Sequence, residues 1–152
     1  MKLYLLRHGK ADWPNWNKPD DERPLTSEGK KEASRMAKLL QEMKIKPALV
    51  LSSPLPRAWQ TAEIVADQLA LPLEKEETLG KGFDAAALRK MIERNAGEDV
   101  MVVGHEPDFS AVIRALTGGD VKLAKGAVAR VDLEAGAKTG RLIWLIPPKA
   151  AP

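Results

Sequence analysis

The chain has two histidines, and both stand in the same local setting: Arg7-His8-Gly9 and Gly104-His105-Glu106 each follow a short apolar run. A neutral imidazole is a competent nucleophile or proton carrier near neutral pH. Apolar runs halted by glycine read as buried strands, and in open α/β sheets ligands sit outside the carboxyl ends of strands. Two such strands would bring His8 and His105 to one crevice. A third segment, Ser52-Ser53-Pro54-Leu55-Pro56-Arg57, follows another apolar run and enters a helix. A helix start offers free N–H groups and a positive dipole end, and a guanidinium there adds a fork suited to phosphate. A lone histidine at a strand end is more often a satisfied polar residue, and a lone helix-start arginine a solvated one. The repeated setting, with anion-binding groups beside each histidine, points instead to phosphate chemistry.

Composition narrows the options. The length of 152 residues fits one domain, and 44% hydrophobic with 30% charged residues describes a chain that folds. With no cysteine there is no disulfide, thiol nucleophile or thiolate-bound metal. Asp12, Asp20, Asp21 and Asp108 form no evident ligand set, so neither metal nor other cofactor is expected. The 24 basic residues against 21 acidic ones leave a net charge of only +3, interleaved as in Glu28-Gly29-Lys30-Lys31-Glu32. That is no basic stripe for nucleic acid, and small anionic groups are the expected partners. The run before Arg7 is too short for a signal-peptide core, and no stretch approaches the roughly 20 apolar residues that span a bilayer. No membrane partner and a cytoplasmic location are the expectations.

The elements that must position these residues follow from periodicity. Strands are expected at Leu3–Leu6, Ala48–Leu51, Leu73–Glu76 and Val100–Val103. Helices are expected from a Thr26 cap to about Lys44, from Pro54–Arg57 to before Pro72, from an Asp84 cap to about Asn95–Gly97, and from Pro107 or Asp108 to Gly118-Gly119. Val128–Leu133 and Leu142–Ile146 suggest a closing hairpin. Alternating strands and helices give an α/β domain with a mostly parallel sheet over residues 1–147, with a frayed tail at 148–152. The segment 9–25, with Pro14, Pro19 and Pro24, is a loop long enough to hint at function. Its Trp13 and Trp16 wall the cleft, contact a partner or pin the loop to its own domain, whereas Trp59 and Trp144 are expected in the core.

Three ordered segments, Arg7-His8-Gly9, Ser53-Pro54-Leu55-Pro56-Arg57-Ala58-Trp59-Gln60-Thr61-Ala62 and Gly104-His105, resemble the signatures of the histidine phosphatase superfamily. Its fold is phosphoglycerate mutase-like. The compactness, together with Arg23-Pro24-Leu25-Thr26 and Gly104-His105-Glu106-Pro107, resembles the SixA-like phosphohistidine phosphatase subgroup. The resemblance spans nearly the whole chain and implies a single-domain three-layer α/β/α sandwich. It makes His8 the nucleophile that accepts the phosphoryl group, with Arg7, Arg57 and His105 holding phosphate oxygens and Gly9 and Arg23 near the phosphate. Two guanidinium groups should depress the proton affinity of His8, and a backbone carbonyl should fix its tautomer.

The general acid of mutases and many phosphomonoesterases has no clear counterpart. Glu76, Glu77 and Asp84 lie in the corresponding neighbourhood, and Asp12, Asp20 and Asp21 in the first loop are further candidates. An imidazole leaving group needs less protonation than an alkoxide, which favours phosphohistidine on a protein as substrate. The short stretch between Arg57 and His105 resembles relatives with an open site. The expected activity is therefore that of a metal-independent phosphohistidine phosphatase, a phosphoric monoester-type hydrolase with a phosphohistidine enzyme intermediate. The alternatives are a phosphatase or, ranked below it, a mutase acting on small phosphorylated metabolites, or a non-catalytic phosphate-binding module.

Overall fold

A computed structural model describes residues 1–152. Six strands form one sheet: β1 (Lys2–Arg7), β2 (Leu49–Ser52), β3 (Leu73–Lys75), β4 (Val100–Gly104), β5 (Val128–Leu133) and β6 (Gly140–Ile146). Their spatial order is β3-β2-β4-β1-β5-β6. The first four are mutually parallel, while β5 runs antiparallel to β1 and pairs with β6 as the expected hairpin.

Helices cover both faces, which is why the inner strands are continuous apolar runs and not alternating ones. Leu3, Leu5, Val100 and Val102 point to one face, against Leu88 and Met91 of α3 (Ala85–Arg94) and Phe109, Val112 and Ile113 of α4 (Asp108–Thr117). Tyr4, Leu6, Met101 and Val103 point to the other face. There they meet Met36, Ala37 and Leu40 of α1 (Ser27–Glu42) and Ala58, Ala62 and Val65 of α2 (Pro56–Leu69). The molecule is thus a three-layer α/β/α sandwich with a mostly parallel sheet.

Helix ends follow the cap chemistry. Thr26 accepts a hydrogen bond from the Gly29 N–H and Asp84 from the Ala87 N–H, each satisfying a free first-turn donor. Gly118 ends α4 in the left-handed conformation, as a residue without Cβ does readily. Gly29 also permits a close approach. A Cβ there would lie 2.4 Å from the Lys10 carbonyl oxygen, so glycine lets α1 pack against the chain just after β1.

Two expectations about the periphery change. Trp59 and Trp144 are only partly buried; the Lys75 ammonium lies 5.0 Å from the Trp59 ring centroid, and the Trp144 ring sits 6.0 Å from that of Tyr4. Both long side chains lie over the margin of the core with an edge in water. The C-terminal segment, expected to fray from residue 148, instead forms a 3-10 turn over Pro148–Ala150, with Pro148 buried close to Gly126.

The topology also creates a crevice. The chain leaves β1 for α1 on one face and leaves β4 for α4 on the other, although the two strands are neighbours. Their carboxyl ends diverge there, the arrangement in which open α/β sheets bind ligands.

Candidate active site

Arg7 of β1 pairs in register with Gly104 of β4, so the next residues, His8 and His105, leave the sheet side by side. The His8 N–H donates to the Gly104 carbonyl at 3.1 Å, extending the ladder by one bond. The imidazole centroids are 5.3 Å apart with a 54° tilt, and both side chains are buried.

His8 Nδ1 lies 2.7 Å from the Gly9 carbonyl oxygen. A carbonyl only accepts, so Nδ1 carries the proton and the lone pair resides on Nε2. The expected carbonyl anchor is therefore that of Gly9. Burial pushes the pKa of His8 down to about 3; the Gly9 carbonyl opposes this, and His105, Arg57 and Arg7 add smaller lowering contributions. The expected direction holds, but its principal cause is desolvation and the two guanidinium groups rank behind it. His105 is lowered to about 4, again chiefly by burial and next by Arg57, with Asp21 opposing. Both rings are neutral at pH 7.

Arg7, His8, Arg57 and His105 converge on a cavity of about 420 Å³, with Arg23, Lys81 and Lys125 also on its wall. Arg7 donates through Nη1 to the Leu123 carbonyl at 2.9 Å, and Arg57 through Nη1 to the Asp20 carbonyl at 3.1 Å. The Nε–H of each is buried with no protein acceptor. Burial lowers the pKa of both guanidinium groups, so each is a desolvated cation with an uncommitted donor. An anion carrying several acceptor oxygens satisfies such donors in a way that water or a single carbonyl does not. Arg23 is held by the Asp20 carboxylate at 2.7 Å and by the Ala11 carbonyl. Asp20 also lies 3.8 Å from Arg57 Nη2, so one loop carboxylate sits between two arginines.

Of the residues expected near phosphate, Gly9 does not line the cavity, and both of its backbone groups are engaged by protein partners. Its N–H donates to Thr61 Oγ1 at 3.1 Å and its carbonyl holds His8, so its role is to orient the imidazole. Three further contributors lie within the segments that carry the family resemblance, but those segments do not reveal what they touch. Ser53 Oγ lies 2.8 Å from His105 Nε2, and Thr61, one α2 turn beyond Arg57, bonds back to the Arg57 carbonyl while accepting from Gly9. Glu106 accepts from the Ser110 and Leu123 N–H groups, fixing the turn that carries His105. Apart from the bonds within a helical turn, these are contacts across many residues that no local spacing reveals.

The candidate acids separate by position. Glu76 pairs with Arg94 and accepts from Thr78, Asp84 caps α3, and neither borders the cavity; nor does Glu77, which opens a 3-10 turn. Asp21 is tied to Lys81 at 2.7 Å. Among the acids that do border it, Asp12 is gripped by Lys125 at 2.7 Å, which holds its carboxyl below the usual range. Glu106 and Asp108 also line the wall, and each accepts from backbone N–H groups. No cluster of three or more His, Asp or Glu side chains is arranged to hold a metal ion, and no helix is long and apolar enough to cross a membrane.

The sequence and the fold also match known proteins. The family model of the histidine phosphatase superfamily (branch 1) matches residues 3–80. Phosphohistidine phosphatase SixA of Escherichia coli is 30% identical over 155 residues, covering 97% of this chain and 94% of that protein. An uncharacterized protein from Picosynechococcus is 34% identical over 149 residues, 90% of this chain and 87% of its own length. Among solved structures, the protein histidine phosphatase SixA complexed with tungstate superposes with a TM-score of 0.88 at 30% identity, covering 99% of each chain.

Proposed function

The chain belongs to the histidine phosphatase superfamily, and from that premise we propose that it is a phosphohistidine phosphatase working through a phospho-His8 intermediate. In this reading a phosphoryl group enters the cavity with its oxygens facing Arg7, Arg57 and His105. His8 Nε2 attacks the phosphorus in line as the phosphorus–nitrogen bond breaks to a substrate imidazole already protonated on its other nitrogen, which leaves as the neutral ring. Water then attacks phospho-His8, releasing inorganic phosphate and restoring the neutral ring. The arginines offset charge on the transferring oxygens without reorganising, which is where most of the rate gain in such reactions arises.

The observation that carries the proposal is the His8 imidazole itself: buried, neutral, with Nδ1 donating to Gly9 and Nε2 left as the nucleophile. A phosphate-binding module has no use for a nitrogen so prepared, since arginines and backbone donors suffice for binding.

Phosphohistidine is favoured over a phosphate ester by the state of the wall acids. Asp12, Glu106 and Asp108 each hold a lysine or a backbone N–H, so these carboxyl groups are committed to structural partners and none is set aside to protonate an alkoxide. An imidazole departs with little such help. The similarity along nearly the whole chain to a protein named phosphohistidine phosphatase supports the same substrate class.

Rapid quench with a histidine-phosphorylated protein carrying labelled phosphate tests the mechanism. An acid-labile, alkali-stable phosphoenzyme that disappears in His8→Ala is expected. An active enzyme that never accumulates label, under conditions where chemistry precedes water attack, would remove the covalent step.

A further inference from the structure

Three large apolar side chains are exposed, Trp13, Met43 and Ile143. Met43 ends α1 and Ile143 lies on β6, both away from the reactive cavity. Trp13 lies beside it.

The loop between β1 and α1 carries Trp13 and Trp16 with ring centroids 6.4 Å apart. Each indole N–H is already spent inside the loop, Trp13 on the Pro24 carbonyl at 2.8 Å and Trp16 on the Pro19 carbonyl at 3.1 Å. The rings are thereby held in place with their polar edges satisfied, and Trp13 remains 41% exposed. They border an outer cavity of about 780 Å³ that also takes in Lys18 and shares Asp12 and Arg23 with the reactive one. The two spaces lie on either side of that shared wall. Around the mouth, Lys81 is neutralised by Asp21 and Lys125 by Asp12, whereas Lys18 forms no ion pair and stands 6.0 Å from the Trp16 ring.

We propose that the Trp13–Trp16 shelf docks the polypeptide that flanks the phosphorylated histidine of a substrate protein, seating an apolar side chain on the indoles and an acidic one toward Lys18. This rests on the reading of the chain as a phosphohistidine phosphatase and adds the surface that selects a protein over a small phosphoramidate. The phosphorylated imidazole must reach His8 at the base of the inner cavity of about 420 Å³, so the polypeptide attached to it lies across the rim. Tryptophans are among the side chains that concentrate binding energy at protein interfaces, and an uncompensated cation beside them adds charge complementarity to an acidic side chain.

Steady-state kinetics on two substrates tests it: a protein phosphorylated on histidine with phosphoramidate, and phosphoimidazole. In the Trp13→Ala, Trp16→Ala double variant, KM for the phosphoprotein rises on the order of ten-fold, as for loss of interface anchors, with kcat and all phosphoimidazole kinetics unchanged. Trp13→Phe retains most of the affinity, and Lys18→Glu weakens only the phosphoprotein, in a salt-dependent manner. Equal losses on both substrates would mean that the indoles only brace the loop and Arg23, and would overturn the proposal, as would no loss on either. A wild-type enzyme that cleaves phosphoimidazole but no phosphoprotein removes the docking surface alone; one inert toward both removes the phosphatase reading beneath it.

Discussion

His8 and His105 lie with ring centroids 5.3 Å apart at the ends of adjacent parallel strands, and both are neutral because burial penalises their charged forms. The pair is stable together only while uncharged, since two imidazolium ions at that distance beside Arg7 and Arg57 would repel.

Stability should therefore fall on acidification, and the sign follows from proton uptake. In the unfolded chain both histidines titrate near the ordinary value of 6.5; in the folded chain they stay neutral down to about 3 and about 4. Between those limits the unfolded state binds more protons, so stability present above pH 6.5 is lost as pH drops. From pH 7.5 to pH 5 the loss is on the order of 1–2 kcal/mol per histidine. Urea denaturation at both pH values measures it, and a His8→Gln, His105→Gln double variant should lose most of that slope.

Arg57→Ala is expected to lower kcat/KM by about two to three orders of magnitude, the scale of removing one preorganised charge-stabilising donor. Arg57→Lys should recover little, because an ammonium replaces the fork with a point charge and brings no Nε–H to the phosphoryl group. Unfolding midpoints of the two variants, measured alongside, separate this from loss of fold.

Phosphatase activity should survive dialysis against EDTA unchanged if, as proposed, Arg7, Arg57 and His105 meet the phosphoryl charge. Loss of turnover restored by Mg²⁺ would contradict this.

Gly29→Ala should destabilise the fold by about 1–3 kcal/mol, the usual cost of forcing atoms into a packed contact. The added Cβ would sit 2.4 Å from the Lys10 carbonyl oxygen, so α1 or the chain leaving β1 must shift. Because Lys10 follows Gly9 directly, kcat should fall as well; thermal unfolding together with kcat reads both effects.

Much of this molecule is legible in the chain. Glycine-stopped apolar runs locate β1 and β4, and with them both histidines, because a strand buried on both faces needs an unbroken apolar stretch and a residue that permits its exit. Helix caps at Thr26 and Asp84 are equally readable, being local hydrogen bonds with a fixed offset. What stays hidden is anything set by tertiary approach. Ser53 reaches His105, Thr61 reaches Gly9, and Asp20 reaches Arg57, all through distances that only the folded backbone determines. The leading part of burial in the low His8 pKa escapes the sequence for the same reason, since charges are visible there and the depth of burial around them is not. Trp59 and Trp144 lie nearer the surface than their spacing suggests because apolar periodicity marks a face of an element but not where the neighbouring layer ends.

The in-register pairing of Arg7 with Gly104 has a further consequence for how such a protein can change over generations. The distance between the two imidazoles is written in backbone hydrogen bonds, which every side chain on β1 and β4 shares and none owns. Substitutions in either helical layer can accumulate without moving the reactive pair, provided the strands stay in step. The rim loops, which hold no part of that register, are then free to acquire new recognition while the chemistry at the sheet edge is inherited intact.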